Sequence, residues 1–269
     1  MFNSISSQAT ELINLTKQKF NKSKTKVIAI TSGKGGVGKS TITANMAYIY
    51  SKYGKNIAVF DADIGLANMQ ILFDMKPKYT LYDYIEKKVS LNDILIKTKY
   101  DNITLIPSKS GHNFIHNNSS LIYKQVIQEI VGLNKYDLLL IDTGAGLNEY
   151  VQEFLDIADE IIAVTTTDPS ALTDVYALLK MVSNTKQRLI LAFNQTANYK
   201  IGQTITNSLI DLASKNRLNS NFMVEYVGNI VSDVNIQTTN RLRKLFAKEF
   251  VGSEATICLN KIVNSLECL

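Results

Sequence analysis

Nine consecutive residues, Gly33-Lys34-Gly35-Gly36-Val37-Gly38-Lys39-Ser40-Thr41, have the types and spacing needed to hold a triphosphate. They satisfy the pattern G-x-x-x-x-G-K-[ST]. A phosphate chain wrapped by successive backbone N–H groups needs residues without side chains and with unusual backbone angles, and glycine supplies both. A helix starting near Lys39 would point its free N–H groups and positive dipole end at the phosphates. Lys39 would add a cation at the β- and γ-phosphate oxygens, and the Ser40 hydroxyl is placed to ligate Mg²⁺. ATP with Mg²⁺ is the expected ligand pair.

Two further stretches carry acids where such a ligand would need them. Asp61 and Asp63, in Asp61-Ala62-Asp63-Ile64-Gly65-Leu66-Ala67-Asn68, are alternate residues at the end of an apolar run. Two carboxylates there suit a Mg²⁺–water shell and an attacking water, or else cap the next helix. The run Tyr136-Asp137-Leu138-Leu139-Leu140-Ile141-Asp142 ends in an acid that would hold the metal directly or through a water. Gly144 and Gly146 leave the following loop free to move, as a γ-phosphate sensor must. Asn194, in Phe193-Asn194-Gln195, can meet an adenine edge with one donor and one acceptor, although Asn is also a common turn residue. His112, His116, Cys258 and Cys268 lack metal-ligand spacing and are assigned no site.

These residues must be brought together by strands and helices in alternation. Short apolar runs recur at Val27–Ile30, Ile57–Phe60, Ile103–Ile106, Leu138–Ile141, Ile161–Val164, Leu189–Phe193 and Met223–Val227. Helical stretches fall between them at Ser40–Tyr53, Ser119–Leu133, Ser170–Ser183 and Thr204–Arg217. Continuous apolar strands alternating with helices predict an α/β fold: a doubly wound, mostly parallel sheet with helices on both faces. In such a sheet the C-terminal strand ends line the ligand crevice, and the acids and the glycine loop sit at those ends. On this numbering Asp142 closes the fourth strand and Asn194 the sixth. Residues 26–269 are expected to form one domain, including the C-terminal helices. Residues 1–25, rich in Lys, Asn and Ser, are expected to be a mobile arm in which Ile5, Ala9, Leu12, Ile13 and Phe20 fall near helical spacing.

The bulk properties fit a cytoplasmic protein. With 269 residues, 45% hydrophobic and 20% charged, the composition is that of a soluble globular chain. Two cysteines and no secretory leader pattern point to a reducing compartment. The net charge of +5 permits an anionic partner without demanding one. Lys17, Lys19, Lys22, Lys24 and Lys26 lie in a stretch without acids, which is either a solvated linker or a contact for a membrane surface or nucleic acid. Residues 254–269 combine Ile257, Leu259, Ile262, Val263, Leu266 and Leu269 with a single cation, Lys261. That favours a packed helix over a membrane anchor. The basic Arg241-Leu242-Arg243-Lys244 reads as a solvated helix face or as an aid to a membrane or partner contact.

The run Lys34-Gly35-Gly36-Val37-Gly38-Lys39-Ser40-Thr41 resembles the deviant Walker A signature of the MinD/ParA class of ATPases, and the resemblance covers residues 26–250. It implies a P-loop ATPase that hydrolyses ATP to ADP and phosphate and forms a homodimer with ATP, with Lys34 reaching the phosphates of the other subunit's nucleotide. It further implies that Asp61 supports the metal's water shell, that Asp63 orients the attacking water, and that Asn194 recognises the base. Where the class often has a proline near the base, this chain has Ile230, in Gly228-Asn229-Ile230. Three features are most similar to the flagellar-number regulators (FlhG/FleN). These are Asp142-Thr143-Gly144-Ala145-Gly146, the run Val164 to Leu178, and Ser7-Gln8-Ala9-Thr10-Glu11-Leu12-Ile13 in the arm. The last resembles an activator motif, D-Q-A-x-x-L-R, with Ser7 and Ile13 in place of its charged ends. It implies that Gln8, Ala9 and Leu12 engage a signal-recognition-type GTPase of the FlhF kind. A flagellar C-ring, a transcriptional regulator and a peripheral contact with the inner face of the cell membrane are further implied partners. A MinD-like division-site ATPase and a ParA-like partition ATPase are the alternatives. Only four arginines, and a lysine cluster confined to the arm, count against DNA.

Overall fold

The computed structural model describes residues 24–63, 67–109, 119–216, 218–219 and 221–269. Eight strands form one sheet: β1 (Lys26–Ser32), β2 (Ile57–Ala62), β3 (Ile96–Lys97), β4 (Ile103–Ile106), β5 (Leu138–Ala145), β6 (Glu160–Thr165), β7 (Arg188–Thr196) and β8 (Met223–Val231). Their order is β3-β4-β2-β5-β1-β6-β7-β8, and every pair is parallel except β3 with β4. All seven strands expected from the sequence are present. The eighth, two-residue β3 has too short an apolar signature to be read, so Asp142 lies in the fifth strand, which runs on to Ala145, and Asn194 lies near the end of the seventh.

The connections supply α1 (Lys39–Lys52), α2 (Met69–Leu72), α3 (Leu81–Ile85), α4 (Leu91–Ile94), α5 (Ser119–Gly132), α6 (Glu149–Ile157), α7 (Pro169–Val182), α8 (Ile201–Lys215), α9 (Val234–Arg241), α10 (Phe246–Glu249) and α11 (Glu254–Glu267). The four helices expected from periodicity correspond to α1, α5, α7 and α8. Strand residues alternate between two apolar layers, as a two-residue side-chain period requires. Ile28, Ile30, Ile57, Val59, Leu138 and Leu140 face one layer with α1 and α11. Val27, Ala29, Ala58, Phe60, Leu139 and Ile141 face the other, with α5 to α8. Because both layers are filled, the central strands read as unbroken apolar runs.

Helix starts are fixed by polar caps. Asn148 accepts from the Val151 N–H at the start of α6, Asp168 from Ser170 at α7, Asp233 from Asn235 at α9 and Ser253 from Thr256 at α11. The start of α1, like those of α2, α8 and α10, has no side-chain cap, and Gly38 precedes it. Its first N–H groups therefore remain available to an anion. The C-terminal segment is the packed helix that its composition suggested. Leu259, Ile262 and Val263 of α11 are buried, and the helix lies on β8 and α1. Among the described residues no helix is long and apolar enough to cross a membrane.

Candidate nucleotide site

The parallel register sets the site. Asp61 at the end of β2 lies beside Asp142 on β5, and Ile30 of β1 lies on the other side of Asp142. The glycine loop leaves β1 immediately beyond. Two of its glycines are required by their neighbours. Gly38 has φ +90°, and a Cβ there would fall 2.3 Å from Asn194 Nδ2; a Cβ on Gly33 would fall 2.4 Å from Asp174 Cβ on α7. The loop is thus wedged between the ends of β7 and α7, and no side chain fits at either point.

Lys39 Nζ donates to Asp142 Oδ1 at 2.8 Å, and both residues are buried. Thr43 Oγ1 donates to the same oxygen at 3.4 Å. Asp142 Oδ2 has no hydrogen-bond partner. Burial pushes the Asp142 carboxyl up, against the opposing pull of the Lys39 and Ser40 side chains beside it. Asp61 is fully buried, and its oxygens accept from the backbone N–H groups of Asp63 and Met69, each at 3.2 Å. Burial first, and the Asp142 charge second, push its carboxyl up to about 8. Two adjacent buried acids that cannot both ionise, one with a bare oxygen, fit the donor set of a hard cation such as Mg²⁺.

Above these acids a cavity of about 820 Å³ is lined by Gly35 to Thr41, Asp63 and Asn194. Gly33, Lys34, Asp61 and Asp142 lie outside this lining. Asp61 and Asp142 sit beneath it, while Lys34 turns away: its Nζ donates to Asp168 Oδ2 at 2.9 Å and Ser170 Oγ at 2.6 Å, at the start of α7 in the same chain. Lys34 and Asp168 are both exposed, so water screens the pair and little holds it closed. Asn194 is partly engaged by the loop. Its Nδ2 donates one proton to Val37 O at 2.8 Å, and its buried Oδ1 is without a partner. The second amide proton and Oδ1 leave it one donor and one acceptor.

Of the opposite wall, built from Gln195, Ile230, Asp233, Ile236, Gln237 and Asn240, sequence reasoning found Ile230 alone. Asn240 Nδ2 donates to Thr41 Oγ1 at 3.1 Å, tying α9 to the start of α1, and its buried Oδ1 has no partner. For the α9 part of this wall the sequence signal is the helix cap at Asp233. Ile230 is fully buried and contributes to the wall where a proline was expected. Gln8, Ala9 and Leu12 lie outside the described residues, as do Ile64 to Leu66. A larger groove, about 1050 Å³, lies at the other end of the sheet and holds none of these residues.

A family model for the AAA domain matches residues 25–197, which include the loop, all three acids and Asn194. The chain belongs to this family. Across the AAA-domain core and beyond, it is 36% identical over 250 residues to the flagellum site-determining protein YlxH of Helicobacter pylori, covering 91% of this chain and 84% of that protein. It is 29% identical over 245 residues to the antiactivator FleN of Pseudomonas aeruginosa, covering 90% and 86%. The fold matches that of the septum site-determining protein MinD complexed with Mg-ADP from Pyrococcus horikoshii, with a TM-score of 0.77 at 22% identity over 90% of this chain and 96% of that one. The sequence resemblance to MinD/ParA-class ATPases, and within them to the flagellar regulators, therefore holds along nearly the whole chain.

Removing Lys39 leaves Asp142 buried and unpaired. In the nucleotide-free protein at pH 8, Lys39→Ala is expected to cost about 3–5 kcal/mol in urea unfolding. Asp142 can relieve this by taking a proton, because its folded-state carboxyl is pushed up and protonation of such a group stabilises the fold as pH falls. The cost should shrink at pH 5.5. An equal cost at both pH values would show that the pair is not what holds Asp142 in place.

Proposed function

We propose that the chain is an ATP-driven molecular switch that regulates flagellar number or placement, hydrolysing ATP to ADP and phosphate and dimerising when ATP is bound. The observation that carries this reading is the match to flagellum site-determining YlxH along 91% of the chain, with the phosphate loop and its acids inside the matched fold. In this reading the backbone N–H groups of Gly35 to Thr41 and the uncapped start of α1 bind the phosphates. Lys39 exchanges Asp142 for the β- and γ-phosphate oxygens. Asn194 Oδ1 accepts from the exocyclic amine of adenine, a donor that guanine does not present at that edge. Ser40, Asp142 and the Asp61 beneath it would hold Mg²⁺, which supplies charge neutralisation on the phosphate oxygens. Asp63, at the cavity rim, orients the water for in-line attack on the γ-phosphate, and Lys39 and Lys34 stabilise the charge that develops.

Lys34 gives the dimer its sharpest test. Held by Asp168 and Ser170 in its own chain, it is free to exchange them for the phosphates of a second subunit's nucleotide. Lys34→Ala is expected to bind ATP and ADP like the parent chain yet to sediment as a monomer with ATP. A dimer of unchanged affinity would remove Lys34 from the interface.

The output step is assigned to the arm, with Gln8, Ala9 and Leu12 engaging a signal-recognition-type GTPase of the FlhF kind. The full chain is expected to raise that GTPase's turnover, and Gln8→Ala to abolish the stimulation while leaving ATP binding intact. Equal stimulation by Gln8→Ala and the parent chain would detach the arm from this role. DNA is not expected as a ligand, whereas a flagellar C-ring component, a transcriptional regulator or the inner membrane face remain as further contacts.

A further inference from the structure

The N-terminal ends of the parallel strands form the floor of the sheet, opposite the nucleotide site. The described chain enters there, where Lys26 N donates to Asp137 O at 3.0 Å and Lys26 Nζ pairs with Glu160 at 3.9 Å. The register then lines up one residue per strand across the floor: Ile28 on β1 stands beside Glu160 on β6, Glu160 falls beside Arg188 on β7, and Arg188 beside Met223 on β8. Arg188 ties the row together by bonding both Glu160 and Glu225.

At the far end of this row the floor opens into the groove of about 1050 Å³ between α8 and the start of β8. Its lining combines the apolar Ile210, Ala213, Leu218, Phe222, Met223 and Val224 with Arg188, Ser214, Asn219 and Glu225. Met223 is 58% exposed and Ile210 36%, and no described segment covers them. A smaller depression of about 360 Å³, lined by Asp159, Glu160, Arg188 and Met223, joins the point of chain entry to the groove. Asp159, Glu160 and Glu225 border this path, and each is engaged: Asp159 accepts from the Val27 N–H at 2.7 Å, Glu160 pairs with Lys26 and Arg188, and Glu225 pairs with Arg188. Lys186 donates to the backbone carbonyls of Asp156 and Ala158 at 2.9 and 2.6 Å, so charges of the two signs balance along the path.

We propose that this groove is the docking site of the chain's own N-terminal segment, with Ile5, Ala9, Leu12 and Ile13 seated on its apolar residues and residues 17–24 crossing the smaller depression. Two observations support this occupant. The segment starts at the same end of the sheet, and the groove lies three strand steps from Lys26, about 14 Å at a spacing of ~4.8 Å. From Ile13 to Lys24 the chain can span up to about 36 Å at ~3.3 Å per residue, so the reach is ample. The apolar residues of the segment recur at helical spacing, which presents one face to a groove of this shape. A docked segment is withheld from any other protein that takes the same residues. The docking itself depends on neither the ATPase nor the GTPase reading, and the test below reads neither activity.

The test compares the full chain with full-length Leu12→Asp/Ile13→Asp and Met223→Asp by hydrogen exchange over residues 209–226 and by trypsin cleavage at Lys17, Lys19 and Lys22. Met223 is exposed, so its substitution leaves the fold intact, which circular dichroism checks. Amides of the groove are expected to exchange about tenfold faster in Leu12→Asp/Ile13→Asp than in the parent chain. Met223→Asp is expected to speed cleavage at the three lysines by a similar factor. Both effects should be constant over a roughly hundredfold range of protein concentration, because the contact is within one chain. Identical exchange and cleavage in all three proteins would overturn the proposal. Protection that grows with concentration would overturn it in favour of a second copy in the groove.

Discussion

Lys39 and Asp142 meet at 2.8 Å almost wholly out of water, at the point where the phosphate loop becomes α1. Taking two charges from water is expensive, and a pair of this kind seldom stabilises a fold more than apolar residues of the same size would. Its presence therefore needs a reason beyond stability. The surrounding elements are arranged so that the pair forms and can be exchanged. β5 delivers Asp142 between β1 and β2, Gly38 lets the loop turn against Asn194, and Thr43 steadies the carboxylate from the next turn of α1. One carboxylate oxygen is left bare, and burial beside it pushes the neighbouring Asp61 carboxyl up. A phosphate with its cation would restore full partners to every one of these groups.

The same logic separates the two lysines of the loop. Lys39 is buried against a buried acid, and its removal leaves an uncompensated charge. Lys34 is held only by exposed partners at the start of α7, so water competes for it and the hold is weak. A deep lysine that anchors and a shallow one that can swing outward suit a site whose ligand is bound by one chain and completed by another.

Much of this was legible in the sequence because the information is local. Gly33 to Thr41 carry their geometry in residue type, and Asp61, Asp63, Asp142 and Asn194 each end an apolar run whose burial on both faces is written as an unbroken string. What could not be read depends on approaches between distant segments. That the Asn194 amide gives one proton to Val37 follows from β7 ending beside the loop, and that Lys34 rests on Asp168 follows from α7 starting there. The wall formed by α9 has a polar sequence with no motif, and Asn240 reaches Thr41 across 199 positions of chain. Two-residue β3 and the single-turn helices α2 to α4 are too short for periodicity to register.

The central claim is that the buried pair and the bare acceptor of Asn194 together make an adenine-nucleotide site. The most direct measurement is a titration of the nucleotide-free chain with a fluorescent ATP analogue in the presence of Mg²⁺, followed by competition with unlabelled ATP, ADP and GTP. Saturable binding to one site per chain, displaced by ATP and ADP at far lower concentrations than GTP, is the expected result. Absence of saturable binding, or displacement by GTP as readily as by ATP, would contradict it.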